Sequence, residues 1–380
     1  MKKYKIVYCT PSLYIPGGVE RVLTTKVNYF ADVLGYDIYI VITDGKGNPP
    51  YFELSPKIHI VQLDINFEQL WNRNFLIKTG LYLIKQRLYK IKLTKLLLDI
   101  KPDFTISLLR REINFLTSIK DGSKKIGEIH INKKHFRNFE AEDVNFIKSF
   151  ISKLWNLQLI NKLKKLDKFV VLTEDDKLNW KDLKNVVVIP NPLEIKNNIS
   201  LLENKEIVAV GRYSYEKGFD LLIQAWKIVN EQHKDWILNI YGSGNKEYLA
   251  PLIKEEDLIS SVIPHDPSKN IFDIYLQNSI FVCSSRFEGF GMVIAEAMSC
   301  GLPAISFDCY YGPRNIISNG IDGLLVTNGD IVGLANSIIE LIENKNKRKN
   351  MGEAARKNIK KFEINIICQK WEKLFNSFYQ

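Results

Sequence analysis

The sequence predicts an α/β protein built from two parallel-sheet domains, and three observations carry that expectation. Short continuous apolar runs such as Ile280-Phe281-Val282-Cys283 recur without polar alternation, the pattern of strands buried on both faces. Helical stretches separate these runs in both halves, as the crossovers between parallel strands require. At 380 residues the chain is long enough for two domains that each bury a core.

The first strand is the apolar run 6–9, close behind Met1-Lys2-Lys3. Gly17-Gly18 follows it and precedes a helix beginning near Val19-Glu20-Arg21. Glycines there either bring the backbone close to a ligand with free amides or simply make a tight turn. His130 stands in Gly127-Glu128-Ile129-His130-Ile131-Asn132, an apolar strand end where a lone histidine is commonly structural, while the basic neighbours of His135 suggest surface. Val186-Val187-Val188-Ile189 closes a first domain over 1–190, ended by Pro190-Asn191-Pro192. The polar run 191–206, rich in Asn and Lys, reads as a linker.

Ile207-Val208-Ala209-Val210 opens a second domain over 207–360, with 361–380 as a final helix. The loop from Gly211-Arg212 to Lys217-Gly218 follows that strand. Its two cations are either surface charges or a means of neutralising phosphates on a strand's carboxyl rim. Tyr241-Gly242-Ser243-Gly244 also follows a strand, but the dinucleotide fingerprint needs a third glycine where Glu247 stands, which disfavours an oxidoreductase. Segment 284–301, SSRFEGFGMVIAEAMSCG, then combines a loop bearing Glu288 with a helix over 292–300 bearing Glu296, stopped by Gly301 and followed by a second apolar run. In such a strand-loop-helix-strand unit a ligand binds beyond the strand's carboxyl end, where free helix amides attract an anion. Two carboxylates beside a phosphate site suit sugar hydroxyls. The pair alone also fits two solvated glutamates.

Composition excludes other classes. No segment resembles a signal peptide, and no window approaches the roughly 20 apolar residues that span a bilayer. Cys9, Cys283, Cys300, Cys309 and Cys368 are scattered and odd in number, which suggests a reducing cytoplasm without disulfide framework or zinc site. Residues 1–190 carry 32 Lys+Arg against 20 Asp+Glu, and the rest 21 against 23, so the basic excess lies in the first half. It concentrates in 75–98 and 146–169, where cations interleave with Leu, Ile, Phe150 and Trp155. Such basic amphipathic stretches suit an anionic membrane face or are solvated helix faces over a core stripe. No recognition motif accompanies them, so nucleic acid is not an expected partner.

The EGFGMVIAEAM segment resembles the E-x7-E motif of retaining glycosyltransferases of family 4. Gly17-Gly18, His130, Gly211-Arg212 with Lys217-Gly218 and a final segment containing Trp371 fall in that family's order across nearly the whole chain. Phe307-Asp308-Cys309-Tyr310-Tyr311-Gly312-Pro313-Arg314 is similar to the FDC-x-x-GP segment of bacterial surface-polysaccharide members. The resemblance implies the GT-B fold: two Rossmann-like domains facing a central cleft, with the C-terminal helix crossing back to the first. It further implies metal-independent, cofactor-free transfer of a hexose or N-acetylhexosamine from a UDP-sugar, with retention, to a lipid-linked, lipopolysaccharide or capsule glycan. The location it implies is cytoplasmic, peripheral at the inner membrane face. By the same resemblance Arg212 and Lys217 hold the diphosphate and Glu296 the ribose hydroxyls. Glu288 with Gly289, Phe290 and Gly291 contacts the donor hexose, and His130 with Gly17 and Gly18 completes the site. Val262-Ile263-Pro264-His265-Asp266-Pro267 replaces a glycine loop found near the nucleobase in many members, so the base stays open. The alternatives are a cytosolic transferase acting on a small soluble acceptor and a non-catalytic nucleotide-sugar-binding assembly subunit.

Overall fold

Seven strands, β1 (Lys5–Thr10), β2 (Asp37–Ile42), β3 (His59–Gln62), β4 (Phe104–Ser107), β5 (Lys124–Glu128), β6 (Lys168–Val171) and β7 (Val186–Val188), join in the order β3-β2-β1-β4-β5-β6-β7. Six more, β8 (Glu206–Val210), β9 (Ile237–Tyr241), β10 (Val262–His265), β11 (Ile280–Cys283), β12 (Ala304–Phe307) and β13 (Gly323–Val326), form a second sheet ordered β10-β9-β8-β11-β12-β13. Every ladder among the described residues is parallel. In each sheet the strand order reverses once, between β1 and β4 and between β8 and β11. These elements come from a computed structural model that describes residues 2–70, 74–130, 157–309 and 312–379.

The chain divides into two units, Met1–Pro192 with Cys368–Gln380 and Leu193–Ile367. Strands β4, β11 and β12 are buried at every position, which is why their sequences are unbroken apolar runs. In the first unit helix α1 (Gly18–Asp32) lays Val22, Leu23, Val27 and Phe30 inward, and helix α2 (Phe75–Ile100) contributes Tyr89, Leu93 and Leu97 to a core shared with Val7, Cys9 and Val41. The second unit builds its core from strand residues such as Ile207, Ile240 and Val282 under Leu222, Ile223 and Trp226 of helix Phe219–Gln232.

The last helix, Ile364–Asn376, ends in the first unit. Phe375 is fully buried there, its ring 4.5 Å from Phe104 and 5.9 Å from both Tyr4 and Phe30. The polar run after Pro192 belongs to the second unit. Leu193 N–H donates to Phe362 O (2.8 Å), and Ser200 donates through N to Cys300 O (2.8 Å) and through Oγ to Asn278 O (2.6 Å). Backbone bonds anchor it while side chains such as Glu194 and Lys196 stay in water, so its composition resembles a free linker. Of the stretch 146–169, residues 146–156 lie outside the described residues, as do His135, Phe150 and Trp155. The described part turns Leu159, Leu163, Leu166 and Phe169 into a core with Trp180.

Truncating Phe375 to Ala removes a fully buried ring from five aromatic neighbours, and a loss of about 3–5 kcal/mol is expected. Hydrogen exchange would read it as faster opening of β1 and β4 amides, with β8 and β11 unchanged. Equal loss of protection in both sheets would contradict packing confined to the first unit.

Candidate functional site

The reversal of strand order between β8 and β11 leaves a crevice beyond their carboxyl ends, and the polar residues of the second unit gather there. Gly211-Arg212 leaves β8 and leads into a short turn, Tyr215–Lys217, which ends at Gly218 in the left-handed region (φ 62°). A Cβ at Gly218 would lie 2.2 Å from Ser284 O, so the loop after β8 sits directly on the loop after β11. Ser284 Oγ donates to Lys217 O at 2.9 Å. Lys217 Nζ donates to the Glu288 carboxylate, to which Ser285 Oγ also donates at 2.8 Å.

Both charged side chains of that pair are largely enclosed. Burial by itself would lower the Lys217 pKa, but Glu288 and the neighbouring Cys283 outweigh it and hold the ammonium above lysine's usual value. Arg286 fastens the two loops. Its N–H donates to Glu216 O (2.8 Å), and its guanidinium donates to Tyr215 O (2.8 Å) and to both oxygens of Asp220 (2.8 and 2.6 Å). That fork also draws the Asp220 pKa down.

Arg212 is 71% exposed and reaches Glu216 at 2.8 Å, and its charge opposes that of Lys217. The structure thus joins Lys217 to Glu288 and turns Arg212 to Glu216. Gly291, at φ 93°, caps helix Met292–Ser299, whose first internal bond runs from Ile294 N–H to Gly291 O (2.9 Å). The amides of the first turn therefore precede the helix ladder. Gly312 packs under the same loop, where a Cβ would meet Glu288 Cβ at 2.8 Å and Phe290 O at 3.0 Å. Phe290 is buried against Phe362, with ring centroids 5.2 Å apart. Glu296, the fifth residue of the helix, is buried, and the Tyr275 hydroxyl donates to its Oε2 at 3.4 Å.

In the first unit Gly17 is the N-cap of α1 in an extended conformation that any residue adopts (φ −98°). A Cβ on Gly17 would meet only the flexible end of Glu20, and one on Gly18 would meet nothing within 4 Å. Neither backbone strain nor close backbone packing calls for glycine at these two positions.

His130 lies two residues past β5, its side chain 6% exposed and its Nε2 3.4 Å from Glu128 Oε1. Both ring nitrogens are buried, and the Asn191 side chain is a neighbour that, with Glu128, favours the protonated ring. Glu128 is engaged instead by Lys26 of α1 at 2.5 Å, a fully buried ammonium 4.4 Å from the Trp371 ring centroid and 5.1 Å from that of Tyr8. Burial, with Lys26 and Arg110 adding to it, pushes the His130 pKa down to about 4 against the pull of Glu128. The ring is therefore neutral at neutral pH and offers a hydrogen bond without a charge.

Sequence reasoning missed Ser285 and Arg286, although both stand inside the segment 284–301 that it singled out. It also missed the buried pair of Lys26 and Glu128, for which a single sequence holds no pattern. Among the described residues no group of three or more His, Cys, Asp or Glu is arranged to hold a metal ion, and no helix is long and apolar enough to cross a membrane.

Residues 192–358 match the family model described as Glycosyl transferases group 1. Over 374 residues the chain is 27% identical to an uncharacterized glycosyltransferase of Haemophilus influenzae, covering 97% of this chain and 99% of that one. It is 35% identical over 222 residues to the amylovoran biosynthesis glycosyltransferase AmsD of Erwinia amylovora, covering 55% of this chain and 62% of the other. It is also 32% identical over 265 residues to a poly(ribitol-phosphate) alpha-N-acetylglucosaminyltransferase of Staphylococcus aureus, covering 67% and 51%. The chain thus spans less than two thirds of the latter two. Among solved structures, TarM of S. aureus matches with a TM-score of 0.79 at 20% identity over 99% of both chains. The pneumococcal O-GlcNAc transferase GtfA in complex with UDP and GlcNAc matches at 0.78 and 15%, also over 99% of both. At those identities the likeness is one of fold.

The depressed His130 pKa makes stability depend on pH with a definite sign. Above the unfolded value of 6.5 the contribution is fully present; as pH falls the unfolded chain takes up a proton that the folded ring refuses, and stability is lost toward pH 4. The loss due to this ring should be about 2 kcal/mol at pH 5 and about 3 kcal/mol at pH 4. Urea unfolding of the unaltered protein and of His130→Asn across pH 8 to 4 isolates it as a difference. Parallel profiles would place the ring in water.

Proposed function

We propose that this chain, a glycosyltransferase with a group 1 domain over residues 192–358, transfers a hexose or N-acetylhexosamine from a UDP-sugar, with retention, to a lipid-linked or surface-polysaccharide glycan at the inner face of the cytoplasmic membrane. The observation that carries this reading is the meeting of Lys217 with Glu288 and Ser285 at the β8/β11 reversal, beside the helix that starts at Met292. A diphosphate arriving there finds the Lys217 ammonium, the Arg212 guanidinium within reach of a rotamer change and the first-turn amides. As phosphate takes Lys217, the Glu288 carboxylate is released to accept from hydroxyls of the donor sugar, together with the loop of Gly289, Phe290 and Gly291. Glu296 serves the ribose hydroxyls.

In this reading the acceptor hydroxyl attacks the anomeric carbon on the face from which UDP departs. The bond from that carbon to the phosphate oxygen breaks, the new glycosidic bond forms, and the acceptor proton passes to the departing phosphate. Arg212 and Lys217 take up the charge that grows on the diphosphate, so neither metal nor cofactor enters the scheme. In the first unit the neutral His130 and the Gly17-Gly18 loop are assigned to the transferred sugar and acceptor. Relatives named for N-acetylglucosaminyl transfer and for amylovoran biosynthesis support the donor and acceptor classes.

Incubation with a panel of UDP- and GDP-sugars, following slow hydrolysis and the rise in melting temperature, tests the donor assignment. UDP-sugars should give both signals; indifference to the whole panel would leave a non-catalytic subunit or another chemistry. Arg212→Ala should lower turnover at least about 100-fold, because the charge is needed most in the transition state. Its side chain is largely exposed, so stability should hold. Lys217→Ala should match that loss in rate and also cost stability, since it strands the enclosed Glu288.

The two glutamates should separate in calorimetry. Glu296→Gln is expected to weaken UDP binding by roughly 1–2 kcal/mol, and Glu288→Gln to spare UDP affinity while slowing sugar transfer. The reverse pattern would exchange their roles.

A further inference from the structure

Helix α2 carries two apolar faces. One, with Tyr89, Leu93 and Leu97, is buried in the core of the first unit. The other consists of Ile77, Leu81, Ile84, Leu88, Ile91 and Leu98, between 37% and 66% exposed. Their spacing of four, three, four, three and seven residues aligns them in one row for about 30 Å of helix. A contiguous exposed row of this length calls for an occupant.

The cations of α2 divide between the faces. Lys85 turns inward and donates to Ile65 O (2.5 Å) and Asn66 O (3.0 Å), and Lys92 donates to Leu63 O (2.6 Å), so both tie the helix to the loop after β3. Lys78, Arg87, Lys90 and Lys95 stay exposed, and Lys95 lies in the apolar row itself between Ile91 and Leu98. Asp99 is the only acid of the helix, against six cations.

We propose that the exposed face of α2 docks on an anionic lipid surface, with Ile77, Ile84, Leu88 and Ile91 entering the headgroup boundary and Arg87, Lys90 and Lys95 reaching the lipid phosphates. Charge complementarity selects this occupant. The row has the spacing of a helix-pairing seam, but a second copy would bring four exposed cations, Lys78, Arg87, Lys90 and Lys95, against the same four, and like charges oppose that pairing. An anionic bilayer is attracted by the same charges, each contributing near the surface, while long cationic stems lie along the apolar boundary with their heads at the phosphates. The inference deepens the reading of a membrane-borne acceptor and names the face that would meet the membrane; the docking itself does not depend on the donor chemistry.

Cosedimentation with phosphatidylcholine vesicles containing 30% phosphatidylglycerol, against pure phosphatidylcholine, tests the proposal at low and high salt. The unaltered protein should bind the anionic vesicles and release them as salt rises. Arg87→Gln with Lys90→Gln and Lys95→Gln should weaken that binding about 100-fold, and Ile84→Gln with Ile91→Gln at least about tenfold. All five side chains are exposed, so melting temperature and hydrolysis of free UDP-sugar should stay as in the unaltered protein. Absence of binding at low salt, or variants that bind as before, would overturn the proposal. So would a concentration-dependent dimer in sedimentation velocity that the Ile84 and Ile91 replacements dissolve, since a second copy would then be the occupant. Vesicle binding and UDP-sugar hydrolysis are separate readouts, so failure of the docking and failure of the donor assignment remain distinguishable.

Discussion

Parallel pairing is the constraint from which the chemistry of both units follows. Strands that all run one way send every carboxyl end to one edge of the sheet, and their crossovers cover both faces. Polar side chains then have one place to gather without burying unpaired charge in the core. Gly17-Gly18 follows β1, His130 follows β5, Arg212 and Lys217 follow β8, and Glu288 follows β11. The reversal of strand order decides which loops touch. β8 and β11 are neighbours in space although β9 and β10 separate them in sequence, and this is what brings Lys217 to Glu288 across 71 residues.

Each unit then manages a carboxylate that faces a lysine in a poorly hydrated place. Removing two charges from water costs several kcal/mol apiece, and such a pair is held by further bonds or it is not held at all. Ser285 supplies one to Glu288, and the Arg286 fork with Asp220 keeps the loop from opening. In the first unit Lys26 engages Glu128 under the ring of Trp371, which comes from the last helix of the chain. Breaking that pair would leave a fully enclosed ammonium beside a ring system. Losing Lys26 itself would instead remove the positive charge that, after burial, does most to keep His130 neutral. Burial does most to keep His130 neutral, and a residue of α1 about a hundred positions earlier in the chain adds to it.

Helix α2 shows the same division of labour at a surface. Lys85 and Lys92 look like their neighbours in sequence, yet they close backbone carbonyls of the loop after β3 and leave the outward charge to Lys78, Arg87, Lys90 and Lys95. A stretch with apolar residues on both faces has no single amphipathic direction. Only the position of the core tells which lysines turn inward.

Sequence by itself determined what depends on local pattern. The unbroken apolar runs at β8, β11 and β12 mark doubly buried strands, Gly301 marks the end of the helix that carries Glu296, and the segment 284–301 places Glu288 in a loop after a strand. The order of these elements was legible as two parallel-sheet units, and the family resemblance, not periodicity, implied that the chain's last helix returns to the first. Tertiary structure decided what depends on contacts between distant segments. It gave Glu288 to Lys217 and Arg212 to Glu216, and it buried Lys26 with Glu128 behind a neutral His130. It also anchored the polar run after Pro192 by backbone bonds that leave its side chains in water. Periodicity is a property of neighbours along the chain, whereas partners in an ion pair are chosen by which strands lie side by side, and no local pattern encodes that choice.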